Sequence, residues 1–350
     1  MEYTRLKDTN LEEHINSRVY IIFMARDVSI RTQKDGVTKF ISLHMYDKGV
    51  NVEAKKFGAT ETEINTMING GVYCAAVNVE PYVKSATGYS CNLYNFDTFD
   101  MNPNEFIEWA EHMPEAYTTI QHALETISES IYRDLVYNIL TANWQQFCTW
   151  SAASSMHHTM MGGLLVHTAE VIEQSKQIGE LWNNKYGPSF INMPLLLSGA
   201  LLHDIAKTQE LDVDTANGTT AYSTRACLET HITMCISMID TEAAKLNLGQ
   251  QVYKINEVDE QEPIKSDEDL EFEKEAVSLL KHLILSHHGK KEYGSPIEPN
   301  CPEAYILNLA DLLSAEMFRY NKTFNQMEPG TSQSTWLGGN MVCTYKDSTK

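Results

Sequence analysis

Histidines are concentrated in one part of this chain. Eight of its twelve histidines fall between residues 157 and 288. In chain order they are His157, His158, His167, His203, His231, His282, His287 and His288. Asp204 directly follows His203, and Asp311 lies beyond the last of these histidines. Because imidazoles and carboxylates together suit divalent ions such as Mn²⁺, Fe²⁺ or Zn²⁺, the set predicts a metal site.

The pair His203-Asp204 ends a very apolar stretch, LLLSGALL, at 195–202. Lys207 lies four residues after His203, on the same face of a helix. A charged cluster at the end of an apolar helix is costly unless its members pair or bind metal. Two metal ions about 3.5–4 Å apart can stabilise both the attacking and the leaving oxygen of a phosphodiester. Taken singly, each histidine is better explained as a core or capping residue, so only the whole ordered set predicts metal binding.

The elements that must position these residues are helical. Amphipathic stretches lie at 115–150, 164–182, 193–207, 225–248, 272–287 and 302–322, and NPNEFIEWAEHM at 102–113 has the Asn and Pro typical of a helix start. Because we find no strand-like run among them, we expect an all-α bundle whose helices each project one or two ligands inward. We divide this part into a helical connector at 101–150, a domain at 151–325 and a tail at 326–350.

The segment at 257–275 stands apart within this helical part. It holds ten acidic residues and two lysines, a net charge of −8. We interpret it as a solvated acidic insertion rather than a site.

The N-terminal part has the alternating hydrophobic pattern of β-strands rather than the helical period of the rest of the chain. Short alternating runs at 19–25, 38–46, 50–57, 72–83 and 89–96 are separated by Gly-containing turns, and ETEINTMIN at 61–69 reads as a helix between the third and fourth runs. This order predicts an OB-fold barrel over residues 12–100, with a generic five-stranded β module as the alternative. The fold class is therefore α+β and multidomain, a small β-barrel followed by a helical bundle.

Charge and composition limit the partners. The chain has 350 residues and a net charge of −20, of which residues 1–100 carry −2 and residues 101–350 carry −18. The acidity argues against binding an anionic membrane surface and weakens any binding to nucleic acid. We find no membrane-spanning run and no signal peptide. Because the seven cysteines are scattered without a CxxC pair, we expect reduced thiols and a cytoplasmic location.

Four stretches resemble a known family. The order of the histidines and aspartates resembles the HD superfamily of metal-dependent phosphohydrolases in its binuclear form. HHTMMGGLLVHT (157–168), LSGALLHDIAK (197–207), LLKHLILSHHG (279–289) and EYGSP (292–296) are similar to the YhaM-type 3′-5′ exoribonucleases. The resemblance spans roughly residues 12–325, and it implies an N-terminal OB-fold followed by an HD domain.

The resemblance also implies the roles of individual residues. One metal ion would be held by His167, His203, Asp204 and Asp311, with Asp204 bridging to a second ion held by His231, His287 and His288. Asp204 and Lys207 would be the catalytic residues, Lys207 holding the scissile phosphate while a metal-activated water attacks. Further substrate contacts would come from His157, His158, Gly289, Tyr293 and Ser295. Because Gly163 stands where some HD proteins have a glutamate, we do not expect a third ion.

Three functions are compatible with these expectations. The first is a 3′-5′ exonuclease acting on single-stranded RNA or DNA with two divalent ions, Mn²⁺ before Mg²⁺, Co²⁺, Fe²⁺ or Zn²⁺. The second is an HD-domain phosphodiesterase for a small nucleotide or cyclic dinucleotide. The third is a non-catalytic regulator that binds single strands. The sequence leaves the oligomeric state open, a homo-oligomer included.

Overall fold

The computed structural model describes residues 3–82, 88–153, 158–255, 261–337 and 340–349. These residues form two compact units. The first comprises Met1–Trp109 together with Asp214–Thr219, and the second comprises Ala110–Val213 together with Thr220–Lys350.

The first unit is a β-barrel. Its strands are β1 (Thr4–Arg5), β2 (Ser17–Thr32), β3 (Lys39–Asp47), β4 (Val50–Phe57), β5 (Val72–Pro81) and β6 (Tyr89–Thr98), and helix α1 spans Glu61–Thr66. They pair in the order β1-β2-β3-β4-β6-β5, and an additional β2–β5 pairing closes the barrel. β4 and β6 run parallel while the other main pairs are antiparallel. With α1 between β4 and β5, this topology confirms the predicted OB-like fold.

Alternation along the strands explains the barrel core. On β2, Ile21, Phe23 and Ala25 are completely buried and share the interior with residues from the other strands. Helix α1 forms where predicted because Thr60 and Glu63 make a reciprocal capping box at its start.

The second unit is a helical bundle. Its helices are α2 (Met113–Thr126), α3 (Arg133–Thr149), α4 (Gly163–Tyr186), α5 (Met193–Leu202), α6 (Lys207–Glu210), α7 (His231–Lys245), α8 (Asp267–Ser286) and α9 (Pro302–Gln326). One core joins them, and α5 lies inside it with residues 195–202 all buried. Gly199 on α5 allows close packing, since a Cβ there would lie 2.5 Å from the Leu283 side chain.

The expectation that the second part lacks strands is wrong. Among the described residues, three two-stranded sheets accompany the helices: β7 (Leu211–Asp214) with β8 (Thr219–Tyr222), β9 (Tyr253–Ile255) with β10 (Gln261–Pro263), and β11 (Ser332–Leu337) with β12 (Asn340–Tyr345). The chain reverses direction between β7 and β8, where the Asp214 carboxylate accepts hydrogen bonds from the backbone N–H groups of Ala216 and Asn217. The strands of the first two pairs have only three or four residues, too few to show a clear alternating pattern.

Two further local predictions are corrected. The stretch at 102–113 forms only a single 3₁₀ turn at Pro103–Glu105 capped by Asn102, and the helix itself starts at Met113. Within the acidic segment, residues 267–275 are the first turns of α8 rather than a loop. Ser266 and Asp269 cap this start reciprocally, and acidic residues are favourable at a helix N-terminus. Residues 257–260 of that segment lie outside the described residues.

Within the described part of the chain, no helix is both long enough and apolar enough to span a bilayer. The seven cysteines are free thiols.

Candidate metal centre

Three helices and the turns that follow two others bring the predicted ligands to one place in the second unit. His167 lies in the second turn of α4, His203 and Asp204 follow α5, and His231 is the first residue of α7. His287 and His288 follow α8, and Asp311 lies in α9. Four of the ligands are nearly or completely buried, with side-chain exposures of 0% for His167, His203 and His287 and 2% for Asp204.

Four of these side chains form a first cluster. The Nε2 atoms of His167 and His203 are 3.2 Å apart. Asp311 Oδ1 lies 3.2 Å from His167 Nε2, and Asp204 Oδ2 lies 3.4 Å from that atom and 3.6 Å from His203 Nε2. Two imidazole nitrogens and two carboxylate oxygens therefore converge on one small volume.

The other three histidines form a second cluster. The ligand atoms of His231, His287 and His288 all lie within 4.8 Å of one another. Asp204 faces this cluster with its other oxygen, since Oδ1 lies 3.5 Å from His231 Nε2 and 3.9 Å from His287 Nε2. Asp204 thus presents one oxygen to each cluster.

The bare side chains leave polar atoms unpaired. Within the described part of the chain, Asp204 Oδ1, His231 Nε2 and His287 Nε2 are buried with no hydrogen-bond partner. Each such atom costs about 1–3 kcal/mol when nothing compensates it. Because these atoms come from a nitrogen and oxygen donor set, borderline divalent ions fit both clusters.

Hydrogen bonds hold the Nδ1 side of three of the clustered imidazoles, those of His167, His203 and His287. Nδ1 of His203 donates to the Ala200 carbonyl at 2.8 Å, and Nδ1 of His287 donates to the Ile284 carbonyl at 2.7 Å. A carbonyl only accepts, so both Nδ1 atoms carry the proton and both Nε2 atoms direct a lone pair into the clusters. Nδ1 of His167 lies 2.9 Å from Ser314 Oγ, which in turn donates to Glu170 at 2.6 Å.

Burial and charge shift the pKa values of the clustered groups. Burial lowers the pKa of His203 and of His288, and lowers that of His287 well below its ordinary value. Burial also opposes protonation of His167, but its hydrogen bonds with Asp204 and Asp311 outweigh this and raise its pKa to about 9. Burial would keep Asp204 protonated, yet Lys207 and His203 hold the pKa of that carboxyl well below its usual range. The metal-free centre therefore has ionised aspartates.

Lys207 lies at the edge of the first cluster. Its Nζ is 2.8 Å from Asp204 Oδ2, and only 9% of the residue is exposed. Burial favours the neutral amine, but Asp204 outweighs this and raises the lysine pKa. Lys207 thus carries a fixed positive charge beside the candidate bridging carboxylate.

The structure separates the predicted substrate contacts. His158 is 2% exposed, and its ring centroid lies 5.2 Å from that of His167. Tyr293 is 54% exposed on the surface, whereas Ser295 is 3% exposed and its Oγ lacks a hydrogen-bond partner among the described residues. Gly289 adopts φ +79°, and a Cβ there would lie 2.6 Å from the Asn308 side chain. His157 lies outside the described residues.

Sequence reasoning missed the groups that orient the ligands. They are Glu170, Glu210, Asn308 and Ser314. Asn308 donates to the His287 carbonyl at 2.7 Å. Helical spacing was an available signal, since Asn308 and Ser314 each lie three residues from Asp311 and so share its face of α9.

Barrel aromatics divide between the core and the surface. Tyr46, Tyr73 and Tyr89 are buried, so they pack the barrel and cannot stack on a ligand. Phe40 stacks on Phe57 with ring centroids 5.5 Å apart, and Phe57 is 49% exposed. The Phe40–Phe57 pair on β3 and β4 therefore offers an aromatic surface to solvent.

Comparison with known families identifies the class of the second unit. The family model described as HD domain matches residues 164–316, a range that contains all seven clustered side chains. Residues 164–316 of the helical unit therefore form an HD domain, the class of metal-dependent phosphohydrolase that the ordered histidines and aspartates indicate.

Similarity to individual proteins extends well beyond the HD domain. The chain is 28% identical over 299 residues to the 3′-5′ exoribonuclease YhaM of Bacillus velezensis, which covers 83% of both chains. It is 26% identical over 296 residues to the protein of the same name from Bacillus subtilis, again covering 83% of both. The YhaM-type resemblance carried by the four motifs is thereby confirmed.

Among solved structures, the second OB-fold domain of replication protein A from Methanococcus maripaludis matches 29% of this chain and 97% of its own length. The match has 13% identity and a TM-score of 0.21.

Proposed function

We propose that this protein is a divalent-metal-dependent 3′-5′ exonuclease that hydrolyses the phosphodiester bonds of single-stranded RNA, with single-stranded DNA as a second substrate. The observation that carries the proposal is the position of Asp204, which offers one carboxylate oxygen to each of two histidine clusters. A shared carboxylate can hold two ions close together, and two ions about 3.5–4 Å apart can stabilise both the attacking and the leaving oxygen of a phosphodiester. The names of the YhaM relatives, 3′-5′ exoribonucleases, support the proposed 3′-to-5′ direction of hydrolysis and RNA as the substrate.

The ligand sets follow from the two clusters. His167, His203, Asp204 and Asp311 would hold one ion, and His231, His287 and His288 would hold the other together with Asp204. Divalent ions supply charge stabilisation of the phosphodiester and activation of water. Mn²⁺ is the proposed ion because both clusters are rich in nitrogen yet share carboxylate oxygens.

The chain's own residues have separate tasks. Lys207 places a positive charge beside Asp204, where it can hold a non-bridging phosphate oxygen. Ser295 is buried with an unpaired hydroxyl in the segment after His288, which supports a polar contact to substrate. In the barrel, the Phe40–Phe57 pair can stack on bases of the incoming strand, as aromatic residues of single-strand-binding proteins do.

Incubation of the protein with 5′-labelled single-stranded RNA and Mn²⁺ tests the proposal. We expect a ladder of products that shortens from the 3′ end and nucleoside monophosphates as the released product. D204N should abolish the ladder, whereas D212N, which changes an exposed aspartate on β7, should leave it unchanged.

Three results would contradict the proposal. Absence of shortening with Mn²⁺, Mg²⁺ and Co²⁺ would exclude the exonuclease. Cleavage of cyclic dinucleotides, while RNA remains uncleaved, would favour the small-nucleotide phosphodiesterase. Strand binding that is unaffected by D204A, without hydrolysis, would favour the regulator.

Two further properties are proposed from the sequence. We place the protein in the cytoplasm because its seven cysteines are scattered along the sequence without a CxxC pair. A homo-oligomer remains a prediction that light scattering of the purified chain would check.

A further inference from the structure

We propose that Glu210 is the positioning residue of the second ion site, acting through His231. This inference rests on the proposed metal-dependent function and deepens it, because it assigns control of one of the two ions to a side chain outside both ligand clusters.

Glu210 holds His231 at two points. Both carboxylate oxygens of Glu210 lie 3.1 Å from His231 Nδ1. The backbone N–H of His231 also donates to Glu210 Oε1, at 2.9 Å. The ring and the main chain of one residue are therefore fixed by a single carboxylate.

These contacts determine which nitrogen faces the second cluster. An ionised carboxylate only accepts hydrogen bonds, so Nδ1 of His231 carries the proton. Nε2 then directs its lone pair toward Asp204 Oδ1, 3.5 Å away, and has no hydrogen-bond partner in the part of the chain that the structure describes. A carboxylate behind a ligating imidazole fixes its tautomer and makes it a stronger ligand.

The other two histidines of this cluster are not supported in the same way. His287 Nδ1 donates to a neutral backbone carbonyl, that of Ile284. Across the described residues, no side-chain carboxylate hydrogen-bonds to the ring of His287 or His288. Glu210 is thus the ionic support of the second cluster, and it is 8% exposed.

The position of Glu210 in the sequence explains how the support is built. Asp204, Lys207 and Glu210 are spaced three residues apart, and α6 spans Lys207–Glu210. Lys207 contacts Asp204 Oδ2 on the side of the first cluster, while Glu210 contacts His231 on the side of the second. One short segment therefore orders the shared carboxylate and a ligand of the second ion together.

Metal binding rather than activity is the readout that tests this role. We expect the wild-type chain to bind two Mn²⁺ ions in equilibrium dialysis with elemental analysis. E210A should lower the affinity for one of the two Mn²⁺ ions by about 10–100-fold and leave the affinity for the other unchanged. E210Q keeps one acceptor oxygen for the Nδ1 proton, so its loss should be smaller than that of E210A.

A matched control separates positioning from stability. Glu242 is also 8% exposed, lies on α7 with His231, and accepts hydrogen bonds from Asn138 and Lys245. E242Q should therefore lower thermal stability without changing either Mn²⁺ affinity. In an H231A background, E210A should not lower the Mn²⁺ affinity further, because Glu210 acts by holding the His231 imidazole, which that variant lacks.

The outcomes are distinguishable. A wild-type chain that binds no divalent ion would contradict the proposed function itself. A wild-type chain with two ions, together with an E210A variant of unchanged affinities and lower melting temperature, would show that Glu210 only caps α7, and would overturn this inference. Further loss of Mn²⁺ from E210A in the H231A background would overturn it as well.

Discussion

At the scale of single residues, Asp204 is the side chain that faces both clusters and Lys207. Its Oδ2 faces the first cluster and Lys207, while its Oδ1 faces the second cluster. Only a carboxylate places two oxygens on one carbon, so an amide, hydroxyl or imidazole at this position would not offer an anionic oxygen to each cluster. Removing its charge should therefore affect both sites at once.

The substitution D204N tests this role. We expect Mn²⁺ binding at both sites to fall by more than about 100-fold, beyond the 10–100-fold typical of residues that only support a ligand. Lys207 would become an uncompensated buried charge, which costs about 3–5 kcal/mol. D204N/K207M removes both charges, so thermal denaturation should show recovered stability while dialysis shows no recovered metal. Retention of one tightly bound ion in either variant would contradict the shared-ligand role.

The pKa of His167 predicts how metal binding depends on pH. In the metal-free protein this pKa is raised to about 9, so the ring holds a proton that must leave before Nε2 can bind an ion. The apparent affinity for Mn²⁺ should rise as pH increases from 6.5 to 8.5. The same shift stabilises the metal-free fold fully below pH 6.5, a contribution lost as pH rises toward 9.

Isothermal titration calorimetry in two buffers measures the proton that His167 releases when Mn²⁺ binds. At pH 7.5, the binding enthalpy should differ between buffers of different ionisation enthalpy by an amount that corresponds to proton release. Equal enthalpies in both buffers, or an affinity that falls as pH rises, would refute the assignment.

The sequence predicts the residues that converge in this centre better than the residues that hold them. The seven predicted ligands are residue types that are costly to bury, arranged in a recognisable order. Glu210 could not be found this way, because any glutamate on the surface has the same sequence appearance. Only the fold brings its side chain to Nδ1 of His231.

At the scale of elements, most long periodic segments were predicted, and among the short ones α1 was. The predicted stretch at 115–150 is divided in the structure into α2 and α3. The hairpin of β7 and β8 has four residues in each strand, too few to show a period. The start of α8 was missed because its acidic composition resembles a solvated loop, although Ser266 and Asp269 supply the cap.

The cap of α8 gives a prediction at this scale. Ser266 Oγ accepts from the backbone N–H of Asp269, so S266A should reduce the free energy of unfolding by about 1 kcal/mol. The control is S278A, an exposed serine in the middle of the same helix whose loss should be close to neutral. Chemical denaturation measures both variants. Equal stability of S266A and the wild type would indicate that the acidic segment does not depend on this cap.

At the scale of the whole molecule, charge is distributed unevenly. Residues 1–100 carry a net charge of −2, whereas residues 101–350 carry −18. The candidate metal centre lies in the acidic residues 101–350, and the exposed Phe40–Phe57 pair lies in the nearly neutral residues 1–100. The global charge of −20 therefore limits affinity for a polyanion without excluding it, because two divalent ions would reverse the local charge where the phosphate would bind.

Binding of single-stranded RNA should accordingly be weak, sensitive to salt and dependent on metal. Each phosphate contacted on a single strand adds about −0.7 to the slope of log affinity against log salt. For three contacted phosphates, raising the salt from about 50 to 200 mM should weaken binding roughly twenty-fold. Fluorescence anisotropy with a phosphorothioate strand, which resists hydrolysis, measures this with and without Mn²⁺. Mn²⁺ should strengthen binding for the wild type but not for D204N/K207M, and D212N should behave as the wild type. Tight binding that persists at high salt without metal would show that the acidic unit takes no part in holding the strand.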